Sequence, residues 1–210
     1  MLFSGPPGTG KTQFAAEIAK QLERRLVVRT ASDINTKWYG ESEANVARMF
    51  RGCDSKAELL FLDEAEVLLG AREATAHRAD RAVTAEFLRW LEAFEGIFVC
   101  ATNHAADFDA ALMRRFTFRL EFKPLTVLQR ETLYAELAMG LEPVESVAAP
   151  ALDPQTSSRL QRLDHLTPGD FANVRRRTAS LGLGTSDWIS ELEAEHRSKG
   201  SVDRQRIGFA

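Results

Sequence analysis

GPPGTGKT, residues 5–12, is the stretch on which the fold turns. It fits G-x-x-x-x-G-K-[ST], a loop whose glycines let backbone N–H groups converge on phosphate oxygens, while the lysine reaches the β- and γ-phosphates and the hydroxyl faces Mg²⁺. Pro7, Gly8, Thr9 and Gly10 supply the backbone cradle, Lys11 the cation and Thr12 the hydroxyl. The flanks agree. Leu2 and Phe3 end an apolar strand, and TQFAAEIAKQLERR spaces Phe14, Ile18 and Leu22 as the buried face of a helix whose N-terminus points at the phosphates. Strand, loop and helix in that order predict an α/β core that binds ATP/ADP with Mg²⁺.

Such a loop needs a second acid to hold the metal and a group to activate water. ELLFLDEAE, residues 58–66, supplies both. Leu59 to Leu62 read as a central parallel strand covered on both faces, and Asp63 and Glu64 emerge at its carboxyl end, where open α/β sheets place their sites. Asp63 is expected to hold Mg²⁺ and Glu64 to orient or deprotonate the attacking water. GIFVCATN predicts a further strand ending at Thr102 and Asn103, with Asn103 able to position that water. FTFRLEF alternates Phe116, Phe118, Leu120 and Phe122 with polar residues and predicts another strand.

The bulk properties set limits. At 210 residues, 44% hydrophobic and 27% charged, the chain can hold one sizeable α/β core and a small second unit. Cys53 and Cys100 have no paired Cys or His spacing around them, which argues against a disulfide framework or a zinc site and suits a reducing, cytoplasmic setting. The apolar runs are too short to span a bilayer and no basic-then-apolar leader opens the chain, so no membrane partner is expected. A net charge of −3 gives no overall electrostatic reason to bind nucleic acid.

These motifs together resemble the AAA+ ATPases, and among them the AAA branch that remodels proteins, over about residues 5–182. GPPGTGKT is similar to that family's Walker A and LLFLDEAE to its Walker B, and Asn103 falls at the sensor-1 position. Arg114 and Arg115 stand where the family places arginine fingers. The resemblance implies a homo-oligomeric ring, usually a hexamer, in which arginines of one subunit complete the site of the next. Their guanidinium groups would offset the charge that spreads over the γ-phosphoryl oxygens. The family separates its two arginines by Pro-Gly, whereas here they adjoin; Arg115 is favoured because Phe116 follows it as in the family, and surface arginines before a strand are the plain alternative. The family also has a longer first strand and a preceding segment that helps contact adenine, a departure by which the chain reads as a fragment of a larger protein.

A second unit follows KPLT. TVLQRETLYAELAMG predicts a helix with Leu128, Leu133 and Leu137 on or near one face, and a Pro- and Ala-rich connection comes after it. LTPGDFANVRRR places Thr167 as N-cap, Pro168 at the first helical position and Asp170 three residues after the cap. This resembles the family's sensor-2 helix, where Gly169 lets the backbone approach the nucleotide; Phe171 stands where some branches carry an arginine. Arg175 to Arg177 are expected to be solvated or at a subunit contact. The organisation is therefore an ATPase core over residues 1–125, a small helical lid domain over 126–198 and a C-terminal tail over 199–210.

KWYG, residues 37–40, matches the family's pore-lining pattern of a lysine or other residue, an aromatic, a hydrophobic residue and a glycine. Held between a strand and a helix that buries Val46, Met49 and Phe50, Trp38 and Tyr39 are expected to grip a protein substrate; packing on their own subunit is the alternative. The chain thus reads as a Mg²⁺-dependent ATPase that pulls on a protein. A nucleic-acid-directed AAA+ motor or clamp-loader-like ATPase is the other reading. It would want basic loops, whereas KWYGESE sets one lysine against two glutamates.

Overall fold

Leu59, Leu60, Phe61 and Leu62 are all fully buried because both faces of their strand are covered. The computed structural model describes residues 1–34, 40–69, 78–141, 152–182 and 184–205. Trp38 and Tyr39 lie outside them. Contacts divide the chain into two compact units, one of Met1–Pro6 with Gly10–Phe122 and one of Pro7–Thr9 with Lys123–Ala210.

In the first unit, β1 (Leu2–Ser4), β2 (Arg25–Thr30), β3 (Glu58–Asp63), β4 (Ile97–Thr102) and β5 (Arg119–Glu121) form a parallel sheet in the order β2-β3-β4-β1-β5. Side chains alternate between its faces with period two. Leu2, Leu60, Leu62, Phe98 and Cys100 enter one core, which includes residues of α2 (Glu41–Arg51) and α4 (Arg78–Ala93). Phe3, Leu59, Phe61, Val99 and Ala101 enter the other, against α1 (Lys11–Gln21). The short helices α3 (Glu66–Leu69) and α5 (Ala110–Met113) follow the ends of β3 and β4. Val46, Met49 and Phe50 of α2 are buried as expected. Cys53 and Cys100 are free and buried; burial, followed by contact with Glu58, pushes the Cys53 thiol up to about 11, which leaves it protonated and unreactive near neutral pH.

Three local expectations are corrected. The buried face of α1 is Ala15 and Ala19, not Phe14 and Leu22, which are 41% and 49% exposed, while Ile18 is partly buried. Alanines let the helix lie close on the sheet, and Phe14 is left at the rim, its ring 5.7 Å from those of Phe3 and Phe122. The strand predicted from Phe116 to Phe122 shortens to β5, because among the described residues β5 pairs only with the three-residue β1. Phe116 is buried in the core but Phe118 is 62% exposed.

The second unit is helical: α6 (Val127–Met139), α7 (Pro154–Gln161), α8 (Pro168–Leu181) and α9 (Thr185–Gln205). Its core gathers Tyr134, Leu160, Leu166, Phe171, Val174 and Leu192, with Leu133 and Leu137 packed against it. The third correction is here, since Leu128 is 38% exposed and off that face. Helix α9 runs on past residue 199 to Gln205. Arg177 is exposed, in keeping with the solvated expectation, and pairs on the surface with Glu191 and Glu195 of α9. The start of α8 is the expected capping box, in which Asp170 accepts from Thr167 N at 2.6 Å and the Thr167 hydroxyl at 2.9 Å. Such a cap contributes about 1 kcal/mol.

Candidate active site

The strand order brings three carboxyl ends together. With β1 beside β4 and β4 beside β3, Ser4 lies in register with Thr102, and Cys100 with Leu62. Gly5, Asn103 and Asp63 therefore leave the sheet at nearly one level, the place where parallel sheets present their chemistry. Gly5 N donates to Thr102 O at 3.2 Å, which fastens the loop to the end of β4. Its φ of 139° and the carbonyl oxygen of Phe122, which a Cβ would strike, restrict this exit to glycine.

Helix α1 opens behind Gly10, whose φ is 93°, with no side-chain cap. The N–H groups of its first turn and the positive end of its dipole are thus left facing the loop, as an anion site requires. Lys11 is only 7% exposed. Its ammonium has three donors, and they meet Gly5 O at 2.7 Å, Pro6 O at 3.0 Å and Asn103 Oδ1 at 2.8 Å. Burial lowers its pKa below the ordinary lysine value, and Asp63 and Glu66 pull it back up. An incoming triphosphate must take the place of at least one of these three acceptors.

The Thr12 hydroxyl donates to Asp63 Oδ2 at 3.1 Å. A hydroxyl and a carboxylate side by side beside the phosphate loop fit Mg²⁺, which takes few protein ligands and keeps waters and phosphate oxygens for the rest. Glu64 follows with φ 52°, left-handed for a residue with a side chain, at a cost of about 1–2 kcal/mol. Its N–H donates to Asp63 Oδ1 at 3.0 Å, so the acid that precedes it helps hold this turn, and its own side chain is exposed.

Sequence reasoning missed Glu66. The first residue of α3, it accepts from Asn103 Nδ2 at 3.1 Å and from Asn103 N at 3.3 Å. That orients the amide so that Oδ1 meets Lys11. The only signal in the sequence was a third acid in DEAE, and nothing there names its partner 37 positions away. Glu66→Ala is expected to lower kcat for nucleotide hydrolysis about 10- to 100-fold with nucleotide affinity little changed, because a misplaced positioning group costs rate more than binding. Glu66→Gln keeps an acceptor for Nδ2 and should recover most of the rate. An alanine variant with the parent's kcat would remove Glu66 from the account.

Arg115 lies beyond α5, its Nε donating to Glu92 at 2.5 Å and its Nη1 to Ala111 O at 2.8 Å. It is thus engaged within its own unit and not drawn into the cluster of Lys11, Asp63 and Asn103. Arg114 beside it is exposed. In the second unit, to which Pro7–Thr9 belong, Gly169 N donates to Gly8 O at 2.9 Å. A Cβ on Gly169 would stand 2.9 Å from Gly8 Cα, so the backbones of Gly8 and Gly169 pass too closely for a side chain there.

Parallel sheet, glycine-rich loop and the helix behind it define the α/β P-loop ATPase fold. The profile of the ATPase family associated with various cellular activities (AAA) matches residues 1–124, and the chain belongs to that family. It is 32% identical over 153 residues to the outer mitochondrial transmembrane helix translocase of Xenopus tropicalis, covering 70% of this chain and 42% of that protein. The Danio rerio protein of the same name is 31% identical over 188 residues, 86% of this chain and 50% of its own length. Fidgetin-like protein 1 of Caenorhabditis elegans is 30% identical over 192 residues, 88% of this chain and 31% of that protein. The chain thus spans half or less of the length of these relatives. Among solved structures, the FIGL-1 AAA domain superposes with a TM-score of 0.67 at 22% identity, over 99% of this chain and 77% of that one. The same domain in complex with ADP gives 0.62 at 22% identity, over 97% and 77%. These matches establish the fold.

The expected cytoplasmic location is overturned. Relatives at 31–32% identity are named for the outer mitochondrial membrane. The expectation of no membrane partner is not confirmed by these relatives. Among the described residues no helix is long and apolar enough to cross a membrane.

Proposed function

We propose that this chain is the motor portion of a Mg²⁺-dependent ATPase that assembles into a ring and pulls on a polypeptide. The observation that carries this reading is the convergence of Lys11, Asn103 and Glu66 on one hydrogen-bonded chain beside the Thr12 and Asp63 pair. Family membership supports nucleotide hydrolysis. The loop N–H groups and Lys11 bind the β- and γ-phosphates, with Gly169 held close to the loop. Thr12 and Asp63 hold Mg²⁺, which neutralises charge on the phosphate oxygens when bound. Glu64 accepts the proton of the attacking water, and Asn103, oriented by Glu66, keeps that water in line with the γ-phosphorus. The water oxygen bonds to phosphorus as the bond to the β–γ bridging oxygen breaks, leaving ADP and phosphate. Arg115 or Arg114 of an adjacent subunit offsets the charge on the transferred group, which for Arg115 requires release from Glu92.

Trp38 and Tyr39, between β2 and α2, grip the substrate chain by apolar and stacking contacts. The names of the relatives called outer mitochondrial transmembrane helix translocases support apolar helices as a substrate class to test. Replacing both aromatics with alanine tests the reading. Basal hydrolysis and melting temperature should hold, while unfolding of a polypeptide substrate and its stimulation of hydrolysis are lost. If the two rings pack on their own subunit, each loss costs about 3–5 kcal/mol, and early melting with normal pulling per folded ring would contradict the gripping role.

A further inference from the structure

Asp164 and His165, in the turn between α7 and α8, meet His196 of α9 inside the second unit. His196 Nε2 stands 3.0 Å from Asp164 Oδ1, and His165 Nε2 stands 3.6 Å from the same oxygen. The two imidazoles lie nearly parallel, with an 18° interplanar angle and centroids 5.5 Å apart. One donor atom from each of the three residues falls within 4.8 Å of the others. This cluster belongs to no part of the nucleotide site described above.

We propose that Asp164, His165 and His196 bind a divalent transition-metal ion, with zinc as the ion to test. Imidazole nitrogen and carboxylate oxygen are zinc donors, and bonds of about 2.0–2.1 Å in a tetrahedron set neighbouring donors about 3.4 Å apart. The two observed separations from Asp164 Oδ1 straddle that value. Closing the remaining gap falls to His165, whose side chain is 59% exposed. Three protein donors leave the fourth position to water. Mg²⁺ and Ca²⁺ prefer six or more oxygens and find only one carboxylate here.

The setting is already braced. Lys199, one turn along α9 from His196, donates to Asp170 Oδ2 at 2.6 Å, to Thr167 Oγ1 at 3.3 Å and to His165 O at 3.4 Å. A bound ion would replace the His196–Asp164 hydrogen bond with a three-residue tie between α9 and the turn that leads into α8. Cysteine spacing bears only on zinc sites built from thiolates. Ligands on adjacent residues and a third 31 positions later follow no metal-binding spacing, and only the packing of α9 on that turn joins them.

The test is titration of the metal-stripped full chain with zinc chloride, in excess Mg²⁺ so that the Thr12 and Asp63 pair is occupied, read by calorimetry and thermal melting. The expected result is a site of one ion per chain whose affinity falls at least ~10-fold in both His165→Ala and His196→Ala. Zinc should also raise the melting temperature of the parent more than that of either variant, because an ion that binds only the folded state stabilises it by mass action. If His196→Ala fails to fold, the exposed His165→Ala decides. Zinc binding in the variants equal to the parent's, or no saturable zinc binding by the parent, overturns the proposal.

Discussion

Glu64→Gln is expected to keep nucleotide and Mg²⁺ binding and to lose turnover by about 10²- to 10⁴-fold, the range of a lost general base. The amide still hydrogen-bonds water but cannot take its proton. The backbone should tolerate the change, since the left-handed turn at residue 64 is held by its own N–H to Asp63 Oδ1 and not by the side chain. The Lys11–Asn103 and Thr12–Asp63 contacts do not involve the Glu64 side chain and should persist in this variant. The variant should accumulate with uncleaved ATP, which rapid filtration with labelled nucleotide measures. Near-parental phosphate release would make Glu64 a bystander.

Lys11→Ala is expected to weaken ATP binding about 100-fold or more. The lost contact is charge-assisted and partly desolvated, at about 3 kcal/mol, and each 1.4 kcal/mol is tenfold in affinity. The fold should survive. Two of the acceptors that the ammonium leaves, Gly5 O and Pro6 O, belong to residues at least partly exposed, so water can replace it. Asn103 stays anchored through Glu66. Calorimetry of parent and variant with ATP checks this, and equal affinities would remove Lys11 from the phosphate site.

What the sequence made legible was contiguous. The turn of the glycine-rich loop into α1, the buried run of β3 with Asp63 and Glu64 at its end, and the capping box at Thr167 are each read within a few residues, and each of these local structures stands where local pattern put it. What escaped depends on which strand lies beside which. Glu66 reaches Asn103 only because β4 sits next to β3. Phe14 reads as inward because it is large and apolar, yet the close seat of α1 on the sheet admits alanine and leaves the ring at the edge. Phe118 followed an alternating pattern, but β1 gives β5 only three partners. Location was illegible for another reason: a nucleotide-hydrolysing core is built the same way wherever it works, and charge and cysteine usage constrain only its solvent.

The central claim is that hydrolysis at this site is spent on moving a polypeptide. It is tested most directly by following loss of structure in a tagged protein substrate, incubated with the assembled protein and Mg²⁺-ATP, alongside phosphate release in the same sample. The account predicts unfolding that proceeds with ATP, stops with a non-hydrolysable analogue and is absent in Glu64→Gln although that variant still holds ATP. Sustained phosphate release with no effect on any polypeptide, or unfolding that continues in Glu64→Gln, would contradict it.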